Sequence, residues 1–173
     1  LLTEYKDWLT TAPKSKAGKV AKLKLKPVLV LTGSPEVQER IYSDEIPKGG
    51  KLLVFGAVNV KPGEMPGKAT NYRRWWNNPW LVVEEGGPRK AGDWTQGDAA
   101  RLEMLVNHAH SNGLWIRFYT LNGHPEGAGD GMTPSYNFGS IEAAKIRWEA
   151  CRKAGVDFVA TDQYEEFANS ARR

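Results

Sequence analysis

The sequence predicts an α/β protein in which helices cover a parallel sheet, and three observations carry the prediction. Short unbroken apolar runs end at glycine, as strands buried on both faces do. Segments with helical apolar spacing alternate with these runs and carry capping residues at their ends. The composition, 40% hydrophobic and 25% charged over 173 residues, is that of a globular chain and excludes collagen, a coiled coil and wholesale disorder.

In chain order, Leu1, Leu2, Tyr5, Trp8 and Leu9 fall at helical spacing and predict a helix that ends by Pro13. Pro27-Val28-Leu29-Val30-Leu31-Thr32-Gly33 is the first apolar run and the first predicted strand. Ser34-Pro35 then sets a capping hydroxyl before a first-turn proline, which predicts a short helix over 35–41. Lys48-Gly49-Gly50 introduces a second buried strand over 51–57. Residues 59–78 are rich in Pro, Gly and Asn, hold Tyr72, Trp75 and Trp76, and read as a long loop. Trp80-Leu81-Val82-Val83 predicts a third strand, ending at Glu84-Glu85-Gly86-Gly87.

Asp98 is suited to cap a helix whose Leu102, Leu105, Val106 and Ala109 form one apolar stripe, closed by Asn112-Gly113. Residues 114–121 form the fourth strand and run into a Gly-rich loop that lasts to Gly139. Ser140 opens a helix with Ile141, Ala144, Trp148 and Cys151 on one face, closed by Ala154-Gly155. Residues 156–162 are the fifth strand and feed a terminal helix through Phe167.

No apolar run approaches the ~20 residues of a membrane span. One cysteine permits neither an intrachain disulfide nor a Cys-based zinc site, and leaves the compartment open. The chain starts at Leu1 without an initiator Met or a signal peptide and reads as beginning inside something longer; an extracytoplasmic or secreted location is compatible with it. The net charge is +4, yet six of the 24 basic residues lie between Lys14 and Lys26 with no acid among them. The other 18 face 20 acidic residues, so no nucleic-acid partner is expected. The lysine stretch is either a solvated loop or a peripheral contact with an anionic membrane.

The tail carries the specific signal. Arg117-Phe118-Tyr119-Thr120-Leu121-Asn122 resembles the aromatic-Thr-aliphatic-Asn strand end of glycerophosphodiester phosphodiesterases, with Tyr119 where that family usually has Trp. Ala154-Gly155-Val156-Asp157-Phe158-Val159-Ala160-Thr161-Asp162 resembles the final strand of the same superfamily, which includes phosphatidylinositol-specific phospholipase C-like proteins. The helix around His108-Ala109-His110, followed by Gly113 and the Arg-aromatic strand, is similar to bacterial phospholipase C-like members. This resemblance covers residues 102–167, and upstream of Asn59 it is architectural only.

The resemblance implies a TIM barrel, a (β/α)8 fold of typically about 250 residues. Five strands then make the chain a single domain over residues 1–173, the C-terminal part of a partial barrel with roughly the last five βα units. It also implies phosphodiester hydrolysis by histidine acid/base chemistry near the first strands, upstream of Leu1. In the glycerophosphodiesterases a divalent metal, Ca2+ or Mg2+, sits on early carboxylates. The chain alone is therefore expected to be inactive and to supply the other wall of the site, acting on a small-molecule or lipid phosphodiester.

Six residues are candidates for that wall. Arg117 and Tyr119 share strand parity, so Arg117 either meets a phosphate oxygen or forms an interior salt bridge. Asn122 stands at the strand mouth, where it contacts substrate or makes a turn. His124, in the loop beyond, either donates to a phosphate or is a surface histidine. Glu84 and Glu85 end a strand, where a carboxylate faces a metal or sugar hydroxyl, or only solvent. His108 and His110 lie two apart on a helix, face different directions and read as structural. Asp162 reads as the cap of the last helix. Trp75, Trp76, Trp80 and Trp94 cluster around long loops; exposed tryptophans there would suit a glycan platform or a membrane interface, but most are expected to pack under the loops.

The leading reading is thus a phosphoric diester hydrolase acting on a phospholipid headgroup or glycerophosphodiester. A non-catalytic barrel-derived module that binds glycan or lipid headgroup is the alternative. A glycan-acting barrel using Glu84 or Glu85 would need a second carboxylate about 5 to 10 Å away.

Overall fold

The computed structural model describes residues 2, 4–15, 19–45, 50–61, 63–125, 127 and 133–171. It is a mixed α/β protein with a five-stranded sheet in the order β2-β4-β5-β6-β7. The strands are β1 (Ala12–Pro13), β2 (Leu31–Thr32), β3 (Lys51–Leu52), β4 (Phe55–Ala57), β5 (Arg73–Pro79), β6 (Trp115–Tyr119) and β7 (Phe158–Val159). The helices are α1 (Glu36–Glu39), α2 (Gln96–Ser111), α3 (Ile141–Ala154) and α4 (Tyr164–Ala171). The pairs β2–β4, β4–β5 and β6–β7 are parallel, and β1 pairs antiparallel with β3. Two compact units result: residues 1–76 with 111–114, and residues 77–110 with 115–173.

In the first unit Ala12, Leu52, Phe55 and Tyr72 form the core, and Leu29, Leu31 and Tyr42 pack against it. The expected first helix does not form. Residues 4–8 make a turn, Leu9 bridges Val28 in parallel and Thr11 bridges Lys24, while Tyr5 and Trp8 stay exposed, so the helical stripe finds no surface to bury itself against. The first predicted strand contracts to β2 and is half-buried, because β2 ends the strand order and has one neighbour. Ser34 does not cap α1. Its carbonyl instead accepts from Arg73, and the chain continues from α1 into a π-helical turn, Arg40–Glu45. Lys48 and Gly49 lie outside the described residues.

The largest departure concerns residues 59–78, where the predicted loop contains the longest strand. In β5, Arg-Arg-Trp-Trp-Asn-Asn-Pro shows no long apolar run, and its polar groups are satisfied by distant partners. Arg73 donates to Glu39 Oε2 (2.7 Å) and to the carbonyls of Ser34 and Ala57. Arg74 stands over the Phe55 ring and donates to Ala21 O (2.8 Å) and Asn71 Oδ1 (2.9 Å). The register shifts between Gly56, opposite Arg73, and Ala57, opposite Trp75, so Arg74 is the extra residue of β5 at that point. The predicted strand over Trp80 to Val83 is instead a 3-10 turn, Trp80–Val82.

The second unit follows the sequence more closely. Thr95 and Asp98 form a reciprocal box, Thr95 N donating to Asp98 Oδ2 (2.9 Å) and Asp98 N to Thr95 Oγ1 (3.2 Å), so α2 starts before Asp98. The Ser140 side chain accepts from Ala143 N, and Gly155 closes α3 in the left-handed conformation. Trp148 donates from Nε1 to Leu121 O (2.9 Å) and meets Phe167 of α4 edge-on.

Gly56 makes a sharp stability test. A Cβ there would lie 2.3 Å from the Tyr72 ring, whose hydroxyl is 2.8 Å from Thr32 Oγ1. We expect Gly56→Ala to destabilise the chain by about 1–3 kcal/mol through overpacking. Combining it with Tyr72→Leu should recover part of that loss in urea denaturation, whereas additive losses would contradict the contact.

Candidate functional site

The alternation Trp-Ile-Arg-Phe-Tyr in β6 sends Ile116 and Phe118 into the core and leaves Trp115, Arg117 and Tyr119 half-buried on the opposite face. Arg117 Nη1 donates to Asn77 Oδ1 at 2.6 Å, and its guanidinium stands 5.7 Å from the Tyr119 ring centre. Tyr119 meets Tyr136 edge-on at 6.1 Å, and Trp115 meets Phe158 likewise at 6.0 Å. Burial pulls the Arg117 pKa below its ordinary value, against the opposing influence of Tyr119, but a guanidinium stays cationic at neutral pH. Burial, followed by the neighbouring Tyr136, raises that of Tyr119, which stays a neutral phenol. Among the described residues only Nη1 of Arg117 is hydrogen-bonded. The rest of its planar fork can meet an anion beside the Tyr119 ring.

The end of β6 is strained. Thr120 has φ 71°, a left-handed conformation that a β-branched residue rarely holds, and its hydroxyl accepts from Trp80 N at 3.2 Å. Asn122, buried just beyond, ties three segments together. Its Oδ1 accepts from Thr161 Oγ1 (2.9 Å) and Asp162 N (2.8 Å), and its Nδ2 donates to Asp162 Oδ2 (2.8 Å). Its backbone exchanges hydrogen bonds with Tyr136 O and Phe138 N. Asn122 therefore fixes the mouth of the strand and the approach of Tyr136 to Tyr119. Asp162, expected as a helix cap, engages Asn122 instead. Thr161 Oγ1 accepts from Gln163 N at the start of α4.

Glu84 is buried in a separate cluster. Arg147 grips it with two bonds, Nε to Oε2 (2.9 Å) and Nη2 to Oε1 (2.6 Å), and Trp80 Nε1 donates to the same carboxylate at 2.6 Å. Arg147 also donates to Gly92 O (2.7 Å) and stands over the rings of Trp94 and Phe138. Glu85 is exposed, ahead of Gly86 and Gly87, both with positive φ. The His124 carbonyl accepts from Asn137 Nδ2 (2.9 Å), and its buried Nε2 has no partner among the described residues. His110 Nε2 lies 3.0 Å from Asp157 Oδ2, which also accepts from Ile116 N (2.8 Å), so His110 anchors the start of β6. Among the described residues no three His, Cys, Asp or Glu side chains are grouped to hold a metal, and no helix is long and apolar enough to cross a membrane.

No protein-family model, curated protein or solved structure matches the chain.

The geometry brings Arg117 and Tyr119 together and seats Asn122 at their strand's end, with His124 in the loop that follows. It keeps Glu84 engaged elsewhere and Glu85 in solvent. Asn77 and Tyr136, which complete the Arg117 face, escape the sequence reading because residues 59–78 carry no strand signal and Tyr136 lies in a Gly-rich loop. Arg147, also missed, stands one residue before Trp148 on the predicted apolar face of its helix. Trp75, Trp76 and Trp80 are buried and Trp94 is partly buried, so they form no exposed platform.

Removing one partner of the Glu84–Arg147 pair strands the other charge. We expect Arg147→Met to destabilise the chain by about 3–5 kcal/mol. Glu84→Gln combined with Arg147→Met should recover much of this loss, because the amide oxygen still accepts from Trp80. Equal losses in the single and double variants, measured by urea denaturation, would contradict the pairing.

Proposed function

We propose that this chain is the C-terminal portion of a (β/α)8 phosphodiesterase barrel of the phospholipase C-like, glycerophosphodiesterase-like superfamily. In this reading the Arg117 face takes the phosphate of a phospholipid headgroup or glycerophosphodiester. One observation carries it: a half-buried guanidinium with free donors, flanked by Tyr119 and steadied by Asn77, on the β6 face opposite the packed Ile116 and Phe118. An arginine fork matches two phosphate oxygens, and the partial burial strengthens the attraction relative to water. The resemblance of residues 117–122 and 154–162 to the superfamily supports the same reading.

Arg117 acts in this scheme as a binding and charge-stabilising group. A phosphodiester entering the cleavage transition state gathers negative charge on its non-bridging oxygens, which a fixed cation stabilises without reorganisation. Tyr119 positions the guanidinium and offers its neutral hydroxyl to the headgroup. Acid/base histidines, and carboxylates for a divalent metal, are assigned upstream of Leu1; the described residues offer no fitting set of metal ligands, and no metal-dependent step is assigned to them.

Assays of this chain and of its reading frame extended upstream, on bis(p-nitrophenyl) phosphate and glycerophosphodiesters, test the proposal. We expect turnover only in the extended form. Arg117→Gln in that form should lower kcat/KM by about 10- to 100-fold, the loss of a charge-assisted pair. Unchanged kcat/KM, or no turnover by either form, would overturn it. Headgroup or glycan binding without turnover would favour the non-catalytic module, a reading that the aromatic neighbours Trp115, Tyr119 and Tyr136 also suit.

A further inference from the structure

We propose that the N-terminal segment of the first unit is a docking surface for an anionic lipid bilayer. The inference is independent of the phosphodiesterase reading. Residues 20–24 alternate as an extended chain does: Ala21 and Leu23 turn inward onto the core, while Val20, Lys22 and Lys24 face out. Leu25 is 72% exposed. Val28 N donates to Trp8 O (3.0 Å), which brings Trp8, 58% exposed, beside the exposed Val28, and Tyr5 precedes it in the same turn.

The segment is pinned at several points. Ala21 N donates to Asn71 Oδ1 (2.9 Å), Arg74 donates to Ala21 O, and the Thr10 hydroxyl exchanges hydrogen bonds with the Lys26 backbone. A side chain as apolar as Leu25 is thus held outward by a fixed backbone. Clustered exposed apolar groups on a folded surface mark a contact site.

Charge selects the occupant. Lys22 and Lys24 are exposed and Lys26 is half-buried, within a stretch free of acids from Lys14 to Lys26, whereas the exposed Lys14 and Lys19 line a cavity with Glu39 and Asp44. Elsewhere the chain carries no basic excess. A bilayer with anionic headgroups meets both halves of this pattern: lysines sit over the phosphates, and Trp8, Tyr5 and Leu25 enter the interfacial layer. An extended nucleic-acid track would need the basic charge to continue past this segment.

Co-sedimentation with phosphatidylcholine vesicles, with and without phosphatidylglycerol, tests the proposal. Binding should require phosphatidylglycerol and should weaken as salt shortens the screening length from about 10 Å at 0.1 M to about 3 Å at 1 M. Trp8→Ala with Leu25→Ser, and separately Lys22→Gln with Lys24→Gln, should each reduce binding by about tenfold or more. Both pairs are exposed, so an unchanged thermal midpoint confirms that the variants fold. Equal binding to both vesicles, or full retention by both double variants, would overturn the proposal. So would a dimer dispersed by the Trp8/Leu25 pair, which would assign the surface to a second copy, or tighter binding to a DNA oligonucleotide than to vesicles.

Discussion

The buried Glu84–Arg147 pair is the constraint on which the second unit turns. Two opposite charges, each almost wholly removed from water, are tolerable because their donors and acceptors are engaged: two bonds between them, one from Trp80 to Glu84, and one each from Arg147 to the carbonyls of Gly92 and Ala143. That satisfaction fixes α3 against the turn after β5. It also sets Trp80 against Phe118 and draws Phe138 and Trp94 over the guanidinium. With Trp80 in place, its backbone N–H reaches the Thr120 hydroxyl and helps to hold the left-handed residue at the end of β6. Strain of that kind persists where surrounding contacts over-determine it.

From this anchor the proposed site follows by geometry. Thr120 turns the chain so that Asn122 can bind Thr161 and Asp162 at the end of β7, and the Asn122 backbone holds the loop that carries Tyr136. Tyr136 then faces Tyr119, and Tyr119 faces Arg117. The cation is thus steadied through neighbours that are themselves fixed, and Asn77 is its hydrogen-bond partner among the described residues. A guanidinium with spare donors, held this way, suits recognition of a tetrahedral anion.

Sequence made some of this legible and hid the rest for identifiable reasons. Ser140 and Gly155 mark both ends of α3 because caps are local chemistry. The alternation in β6 shows Arg117 and Tyr119 on one side because side-chain parity is also local. Residues 73–79 hide as a strand because Arg73 and Arg74 are neutralised or stacked by Glu39 and Phe55, partners that no short-range periodicity reveals. Trp80 to Val83 and the segment before Pro13 mislead in the opposite sense: each has the right apolar content, but Trp80–Val82 form a 3-10 turn and residues 4–8 a turn that leaves Tyr5 and Trp8 exposed. Glu84 stood out as a strand-end carboxylate, yet its partner Arg147 lies 63 residues away, and only the folded chain shows that the charge is already spent.

Arginine side-chain NMR tests the account's central claim most directly. Titrating the chain with glycerol 3-phosphate while following the Nε–Hε resonances should perturb Arg117 first, with the Tyr119 and Tyr136 ring signals moving in parallel and Arg147 unmoved. Saturable shifts confined to that face would support phosphate recognition there. An unmoved Arg117, or shifts centred on the surface lysines, would contradict it.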